Sequence, residues 1–257
     1  MKQRRNLWGR ELLDFEELDS TNLWLLAQAR PGLALLARRQ TQGRGRLGRQ
    51  WEAGAEGQLF ASFYVANREW PHFRPALTLL VGLAVLRAAE HFGAPDLRLK
   101  WPNDLLSGRR KLAGILCEAS GEGVVCGIGV NLRGTLEDYP RELAGKLTNF
   151  ELLRCPPPEP KALFEEILDQ AEALCAACAR DLAPLIAAWE AASLSLGAEV
   201  SFEWQGQTRS GQVLGLSPQG ALRIVSQGEA IELIAGEVAF SEPIYGGFPP
   251  VEKAPPD

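Results

Sequence analysis

Histidine and long apolar segments are scarce in this sequence of 257 residues. Only His72 and His91 are present, so neither a catalytic histidine base nor a histidine metal cage is expected. The longest apolar run, residues 76–86, is followed by Arg87 and is shorter than the roughly 20 residues that a membrane span needs. No apolar segment of a signal peptide follows the basic start. We therefore predict a core helix at 76–86 and no association with a membrane.

Cysteine is also sparse, and its pattern is not that of a secreted protein. Five cysteines in a long chain do not form an even disulfide framework, which favours a reducing, cytoplasmic location. Cys175 and Cys178 have the C-x-x-C spacing of zinc ligands, but no second cysteine or histidine pair completes such a site. We predict that both are small core residues one turn apart on a helix.

The chain lacks an overall excess of positive charge. With 27 Lys and Arg against 32 Asp and Glu, its net charge of −5 excludes a protein that binds nucleic acid over a generally basic surface. Five arginines and no acidic residue nevertheless lie in the segment from Arg38 to Arg49, which we call the arginine loop. The 22 basic and 32 acidic residues elsewhere leave a net charge of −10, so positive charge is concentrated in this segment.

Strand-like and helix-like patterns alternate up to about residue 195 and then give way to short strands. This predicts an α+β or α/β domain at 1–195, a small β-barrel domain at 196–242 and a flexible tail at 243–257. Strands of the larger domain are predicted at 12–18, 33–37, 58–66, 97–101, 111–118 and 124–132. Its helices are predicted at 23–29, 74–92, 162–180 and 182–195, with Ser20 to Asn22 as the first N-cap and Gly93 ending the second helix.

Residues 43–48, GRGRLG, satisfy the glycine spacing of a dinucleotide-binding loop. A strand precedes them, but the third glycine opens no helical pattern, so we reject a dinucleotide fold. The loop does combine exposed backbone N–H groups with the guanidinium groups of Arg44, Arg46 and Arg49, which suits a bound phosphate or carboxylate. A solvated basic loop is the structural alternative.

A predicted hairpin would bring two side chains of opposite charge together. Asp104 follows the strand that ends in Trp101, and Lys111 begins the next strand seven residues later. If residues 105–110 form a hairpin, the two side chains meet at one end of the sheet. An aspartate beside phosphates is a natural Mg²⁺ ligand, and a lysine there neutralises an anion. Asp104 as a simple turn cap remains the alternative.

Several short motifs occur in an order that is similar to the signature of biotin protein ligases. They are DSTN at 19–22, Gln40 with GRGRLGRQW at 43–51, KWPND at 100–104, KLAGIL at 111–116 and GIGVNL at 127–132. The resemblance spans about 12–132, and the later Gly236-Glu237-Val238 resembles the C-terminal domain of the same family. It implies a catalytic domain like that of class II synthetases, with a mixed or antiparallel sheet and packed helices, followed by an SH3-like barrel.

The resemblance also implies a reaction. Members of the family use ATP and Mg²⁺ to convert biotin to biotinyl-5′-AMP, and then transfer biotin to a lysine of a biotin carboxyl carrier domain such as that of acetyl-CoA carboxylase. The resemblance further suggests a homodimer. Because the DSTN motif begins after only eighteen residues, we expect no N-terminal DNA-binding domain, and hence a ligase that is not a repressor.

By this resemblance, Lys111, Arg46 and Asp104 would be catalytic, and Asp104 would serve the metal. The residues expected to bind biotin are Ser20, Thr21, Asn22, Gln40, Gly43, Arg44, Gly45, Arg46, Lys111 and Gly114. Those expected to bind ATP are Arg44, Arg46, Arg49, Trp51, Lys100, Asn103, Asp104, Lys111 and Asn131. Ser20 as a helix cap, Trp51 as a core residue and Asn131 as a turn residue are the structural alternatives. Residues 146–150 depart from the family pattern, and we assign them no role.

Two further functions remain to be distinguished from biotin ligation. Lipoate and octanoate ligases are similar in fold and differ in the acid that they activate. The alternative from a different class is a nucleic-acid-binding module built on the arginine loop and the small barrel, which predicts salt-dependent binding with a log–log slope of about −0.9 per phosphate. The negative charge elsewhere and the absence of an aromatic stacking stripe argue against it.

Overall fold

The structure is a computed structural model that describes residues 7–51, 56–72 and 74–240. Its strands are β1 (Glu11–Leu18), β2 (Leu33–Gln40), β3 (Leu59–Ala66), β4 (Leu97–Lys100), β5 (Asp104–Ser107), β6 (Arg110–Ser120), β7 (Gly123–Val130), β8 (Glu199–Trp204), β9 (Gln207–Leu216), β10 (Leu222–Ser226), β11 (Glu229–Leu233) and β12 (Val238–Phe240). Its α-helices are α1 (Thr21–Gln28), α2 (Arg74–His91), α3 (Arg141–Ala144), α4 (Pro160–Ala177) and α5 (Ala183–Ala191).

Seven strands form a mixed sheet in the order β1-β2-β3-β7-β6-β5-β4. The edge pair β1–β2 is parallel, and the other neighbours are antiparallel. Helix α2 is apolar on nearly all sides because it lies between this sheet and the later helices α4 and α5. The predicted α+β class, mixed sheet and packed helices are confirmed. In the described part of the chain, no helix has the length and apolarity required to span a membrane.

Local sequence signals explain where the helices begin and end. The Ser20 hydroxyl accepts a hydrogen bond from the Leu23 amide at 3.5 Å, and α1 begins at Thr21, two residues before the predicted start. Helix α2 ends at His91, and Gly93 follows with φ of +88°, a left-handed conformation that glycine adopts without steric cost. The predicted cap and terminator are therefore both confirmed.

The structure corrects two predicted boundaries in the large sheet. Strand β2 continues to Gln40, because Arg38 and Arg39 extend along β1 and pair with Glu16 and Glu17. These two arginines therefore belong to a strand and not to the arginine loop. The predicted hairpin at 105–110 contains a further strand, β5, between β4 and β6. A strand of four residues, three of them buried, shows no alternation of polar and apolar residues that would separate it from a turn.

The C-terminal strands form an antiparallel sheet in the order β11-β10-β9-β8-β12. Among the described residues β11 and β12 do not pair, so the structure shows an open five-stranded sheet where a barrel was predicted. Its buried side chains, including Phe202 and Ile224, join the same core as the large sheet. The predicted domain boundary near residue 195 stays a prediction, and the predicted tail at 243–257 lies outside the described residues.

Candidate active site

The arginine loop is a tight turn that projects from the end of β2. The Gly45 amide donates to the Arg49 carbonyl at 2.7 Å, and the Trp51 amide donates to the Gly43 carbonyl at 2.9 Å. At its tip Leu47 and Gly48 have φ of 56° and 75°. Arg49, which follows, is extended, so the third glycine opens no helix and the dinucleotide interpretation is excluded by the backbone.

Two adjoining cavities lie beside this loop on one face of the large sheet. We call them the first and the second cavity; they share residues Arg49, Gln50, Trp51, Asn103, Asp104, Lys111 and Glu237. The first cavity is also lined by Ser20, Thr21, Asn22, Gln40, Arg44, Gly45, Arg46 and Gly114. The second is also lined by Lys100, Asn131, Lys146 and Leu147. All predicted site residues except Gly43 therefore line one of the two cavities. Gly43 lies just behind them, against Gln40 and Trp51.

A hydrogen-bonded network of neutral groups forms the inner end of the first cavity. The Gln40 side-chain oxygen accepts from the Thr21 amide at 2.7 Å and from the Thr21 hydroxyl at 3.1 Å. The Ser62 hydroxyl lies 2.8 Å from the Thr21 hydroxyl and 2.6 Å from the Asn22 side-chain oxygen. Ser62 is fully buried in β3 and was not predicted, because a lone serine in an apolar strand resembles any core position.

Glu118 connects this network to the arginine loop. The Asn22 side-chain amide donates to Glu118 Oε2 at 2.8 Å and to the Leu116 carbonyl at 3.1 Å. The other carboxylate oxygen, Glu118 Oε1, pairs with the Arg44 guanidinium at 3.1 Å. Glu118 was also missed by sequence reasoning. The signal that it carries is its position in β6, four residues after Gly114, because residues an even number apart in a strand face the same side of the sheet.

Asp104 and Lys111 meet as the predicted hairpin requires. Their carboxylate oxygen and ammonium nitrogen are 2.7 Å apart, and both side chains are largely buried. The Lys111 ammonium also lies 5.1 Å from the centre of the Trp51 ring, in a cation–π arrangement. The backbone of Lys111 is held from the other side, because its amide donates to the Lys146 carbonyl at 2.8 Å. Residues 146–150, for which we predicted no role, therefore help to position Lys111.

Arg46 adds positive charge to the first cavity, and Lys100 adds it to the second. Arg46 donates to the Asn103 side-chain oxygen at 3.3 Å and to the Gly236 carbonyl at 2.9 Å. The pKa of Arg46 is lowered from its ordinary value chiefly by burial, and it remains charged. Burial likewise lowers the pKa of Lys100, although the nearby Asp104 carboxylate opposes that effect. Both cations are desolvated and interact with Asp104, so each cavity has a cation prepared to receive an anion.

The C-terminal sheet contributes to the site through Glu237. Its two carboxylate oxygens accept from both terminal nitrogens of Arg49, at 2.8 and 2.6 Å, in a bidentate pair. The adjacent Gly236 carbonyl accepts from Arg46. The loop is therefore fixed at two arginines by the segment between β11 and β12. Sequence reasoning placed Gly236-Glu237 in the C-terminal domain but assigned no site role to either.

Trp51 lies flat on a surface made by glycines. A Cβ atom added at Gly114 or at Gly129 would come within 2.6 Å of the Trp51 ring. A Cβ added at Gly127 would come within 2.1 Å of the Asn22 side chain. Since real Cβ atoms do not approach so closely, these three positions exclude any larger residue while Trp51 and Asn22 stay in place. The indole is a wall of both cavities, so the core alternative for Trp51 is not supported.

Asn131 is almost fully buried where β7 ends. Its amide donates to the Leu112 carbonyl at 2.9 Å, and its side chain lies 3.4 Å from the Lys111 carbonyl while lining the second cavity.

The described residues contain no group of three potential metal ligands. Asp104 is a single carboxylate beside the cations, which fits a Mg²⁺ that takes most of its ligands from phosphate oxygens and water.

Comparison with known proteins agrees with this architecture. The model of the Biotin/lipoate A/B protein ligase family matches residues 15–133. The biotin--[acetyl-CoA-carboxylase] ligase of Mycobacterium tuberculosis is 34% identical over 239 residues, which cover 89% of this chain and 88% of that protein. The bifunctional ligase/repressor BirA of Escherichia coli is 37% identical over 123 residues, which cover 45% of this chain and 38% of BirA.

Among solved structures, the biotin protein ligase from Aquifex aeolicus in complex with biotin and ATP superposes with a TM-score of 0.79 at 30% identity. The match covers 89% of this chain and 97% of that structure. Fold and cavity together therefore define a ligase of the biotin/lipoate class. Because its similarity to a biotin ligase extends over nearly the whole of both chains, the protein belongs to the biotin protein ligase family.

Proposed function

We propose that this protein is an ATP-dependent biotin ligase. It activates biotin to biotinyl-5′-AMP with release of pyrophosphate, and then transfers biotin to a lysine of a biotin carboxyl carrier domain, such as that of acetyl-CoA carboxylase. The observation that carries the proposal is the joining of the two cavities at Lys111. A neutral hydrogen-bonding pocket opens there directly onto a cluster of cations.

The first cavity suits the biotin ring. A ureido group presents two N–H donors and one carbonyl acceptor, so it requires acceptors and donors at fixed positions. Thr21, Asn22 and Gln40 offer both kinds of group from an interlocked set of side chains. The Ser20 hydroxyl, which caps α1, can donate its own proton while accepting from the Leu23 amide. Its role as a cap is therefore compatible with ligand binding.

The cations answer the main electrostatic difficulty of the first reaction. The carboxylate of biotin must approach the α-phosphate of ATP, and two unit charges 4 Å apart repel by about 4 kcal/mol at an effective dielectric near 20. Lys111 would bridge the two anions, and Arg44 and Arg46 with the Gly45 backbone would surround the biotin tail and the phosphate. Because these groups are already in position, little reorganisation is needed during the reaction.

The second cavity suits the nucleotide. Trp51 and Asn131 would contact adenine, and Lys100, Arg49 and Asn103 would face the phosphates. Asp104 would hold Mg²⁺, which when bound neutralises phosphate charge and so makes the α-phosphate easier to attack. If Asp104 held the metal, its carboxylate would be shared with or withdrawn from Lys111, and the Lys111 ammonium would be available to biotin.

Biotin attachment, rather than nucleic-acid binding, accounts for the arginine loop. Arg44 and Arg49 pair with carboxylates of the fold, and Arg46 lies against Asn103 and Gly236, so the three loop arginines border the cavities instead of forming an open basic surface. We extend the proposal to a cytoplasmic homodimer without repressor activity. Sedimentation of the pure protein tests the dimer, and a DNA-binding titration tests the absence of repressor activity.

The decisive experiment is exchange of labelled pyrophosphate into ATP, measured with biotin, lipoate and octanoate in parallel. We expect exchange with biotin and Mg²⁺ and only background with the other two acids. Exchange that depends on lipoate or octanoate would assign the protein to the other branch of the family. Absence of exchange with all three would contradict ligase activity altogether.

A further inference from the structure

Two cysteines outside the reaction site face each other across adjacent strands. Cys117 on β6 and Cys126 on β7 are directly opposite in the antiparallel register, and their sulfur atoms lie 3.7 Å apart. Opposite residues of an antiparallel pair have Cα atoms about 4.5–5.5 Å apart, which falls within the range of about 4.4–6.8 Å found for disulfides. The backbone is thus already at the spacing that a disulfide needs.

The two thiols differ in access to solvent. Cys126 is fully buried, whereas Cys117 is partly exposed and lines a cavity between α2 and the C-terminal sheet, next to Thr78 and Leu79. A hydrogen bond from Cys126 lowers the pKa of Cys117, while burial raises the pKa of Cys126 well above its ordinary value. Cys117 is therefore the thiol that a reagent meets first and the one that ionises first.

The same stretch of strand supports the biotin pocket from its opposite face. Leu116 and Glu118, on either side of Cys117, both accept hydrogen bonds from Asn22. Gly127, next to Cys126, leaves the space that the Asn22 side chain occupies. To form a disulfide the sulfurs must approach from 3.7 Å to about 2.05 Å. Any strand movement that follows shifts the groups that orient Asn22.

We propose that Cys117 and Cys126 are a redox-active pair, oxidised to a disulfide by a low-molecular-weight disulfide such as oxidised glutathione, and that oxidation weakens biotin binding. The Cys117 thiolate attacks one sulfur of the reagent and releases the first reduced thiol. Cys126 then loses its proton and attacks Cys117 Sγ, which releases the second. The protein gives up two electrons and two protons, and the reagent becomes two thiols.

The test begins with a Cys175→Ser, Cys178→Ser variant, which removes the C-x-x-C pair and leaves three cysteines. The full-length variant is incubated with reduced or oxidised glutathione, denatured and titrated for free thiols, and its peptides are mapped by mass spectrometry. We expect three titratable thiols in the reduced sample, one in the oxidised sample, and a peptide that links Cys117 to Cys126. Three remaining thiols, or a link to Cys155, would overturn the proposal.

Two further samples complete the test. Adding Cys126→Ala removes the second step, so we expect Cys117 to retain one glutathione; an unmodified Cys117 would contradict its role as the first thiol.

Calorimetry should show biotin affinity reduced by about 10-fold in the disulfide form, a change of about 1.4 kcal/mol. Equal affinity in both forms refutes the coupling. That part rests on the proposed function: a reduced protein that binds no biotin would count against the function, while the thiol titration stays valid.

Discussion

The two cavities meet at Lys111 but are held together by different forces. The inner end of the first is a closed network of mainly neutral groups, Thr21, Asn22, Gln40 and Ser62, whose hydrogen bonds are made without a ligand. The arginine loop and second cavity are held by ion pairs, Arg44 with Glu118, Arg49 with Glu237 and Lys111 with Asp104. The first is prepared to receive a neutral ring. The second pairs its cations with carboxylates of the protein, which substrate anions would replace under the proposed function.

This contrast indicates how the protein tolerates so much concentrated positive charge before substrate arrives. Unpaired cations in a partly buried site would be costly, and the carboxylates remove that cost. Under the proposed function, Arg44 and Arg49 would each exchange a carboxylate partner for a substrate anion. Glu118 belongs to both arrangements, because one of its oxygens serves Asn22 and the other serves Arg44. It is the point at which the contrast between the regions can be tested directly.

Replacing Lys111 should produce the largest effect, because Lys111 is where the two regions join. We expect Lys111→Ala to reduce biotin-dependent pyrophosphate exchange by about 10²–10³-fold, since a preorganised cation at the reacting atoms is lost. The free energy of unfolding should fall by up to about 3 kcal/mol, because the partly buried Asp104 carboxylate loses its cationic partner. Arg30→Ala, which breaks an exposed pair with Glu11, is the matched control. An exchange rate like that of the control would remove Lys111 from the reaction.

The next effect is steric and concerns Trp51, which lines both cavities. Gly129→Ala places a methyl group within 2.6 Å of the Trp51 ring and should displace it. Overpacking of this kind costs about 1–3 kcal/mol, so we expect the KM for ATP to rise by about 10-fold or more. Gly145→Ala is the control, because nothing lies within 4 Å of a Cβ at that position. If both variants bind ATP equally well, Trp51 does not form the nucleotide wall.

Glu118→Gln separates the two kinds of interaction. The amide oxygen of the new side chain can still accept from Asn22, but its charge no longer pairs with Arg44. We expect the KM for biotin to stay within about 3-fold of wild type. Because Arg44 is more than a third exposed, loss of its ion pair should lower the free energy of unfolding by about 1 kcal/mol or less. Glu118→Ala should raise the KM for biotin further. The control is Glu16→Gln, which removes an exposed partner of Arg38. Equal biotin KM values for the two Glu118 variants would show that the Asn22 contact is dispensable.

The smallest expected effect is a shift in pH dependence. Because burial lowers the pKa of Lys100, this lysine loses its proton at a lower pH than an exposed lysine does. The loss of its charge should weaken ATP use on the alkaline side, so kcat/KM for ATP falls there. Lys100→Arg keeps the charge and should move that decline to higher pH. A profile that is unchanged by the substitution would assign the alkaline limb to another group.

The catalytic elements were predictable from the sequence because their signals are local. The cap at Ser20, the glycine that ends α2 and the meeting of Asp104 with Lys111 each depend on neighbouring residues and a short turn. Predictions failed where the local pattern was weak or conflicted with the environment. Arg38 and Arg39 join a strand because acidic partners on β1 offset their charge, and the last strands do not close by hydrogen bonds into a barrel.

The sequence alone therefore determined the chemistry: a glycine-rich arginine loop, a lysine and an aspartate in one hairpin, and the ordered motifs of a biotin ligase. Tertiary structure decided which carboxylates and hydroxyls complete the site. Glu237 reaches Arg49 from 188 residues away, Glu118 reaches Asn22 from 96 and Ser62 reaches Thr21 from 41. No local periodicity marks such residues, because their role depends on strand order and register, which are fixed only when the whole core packs.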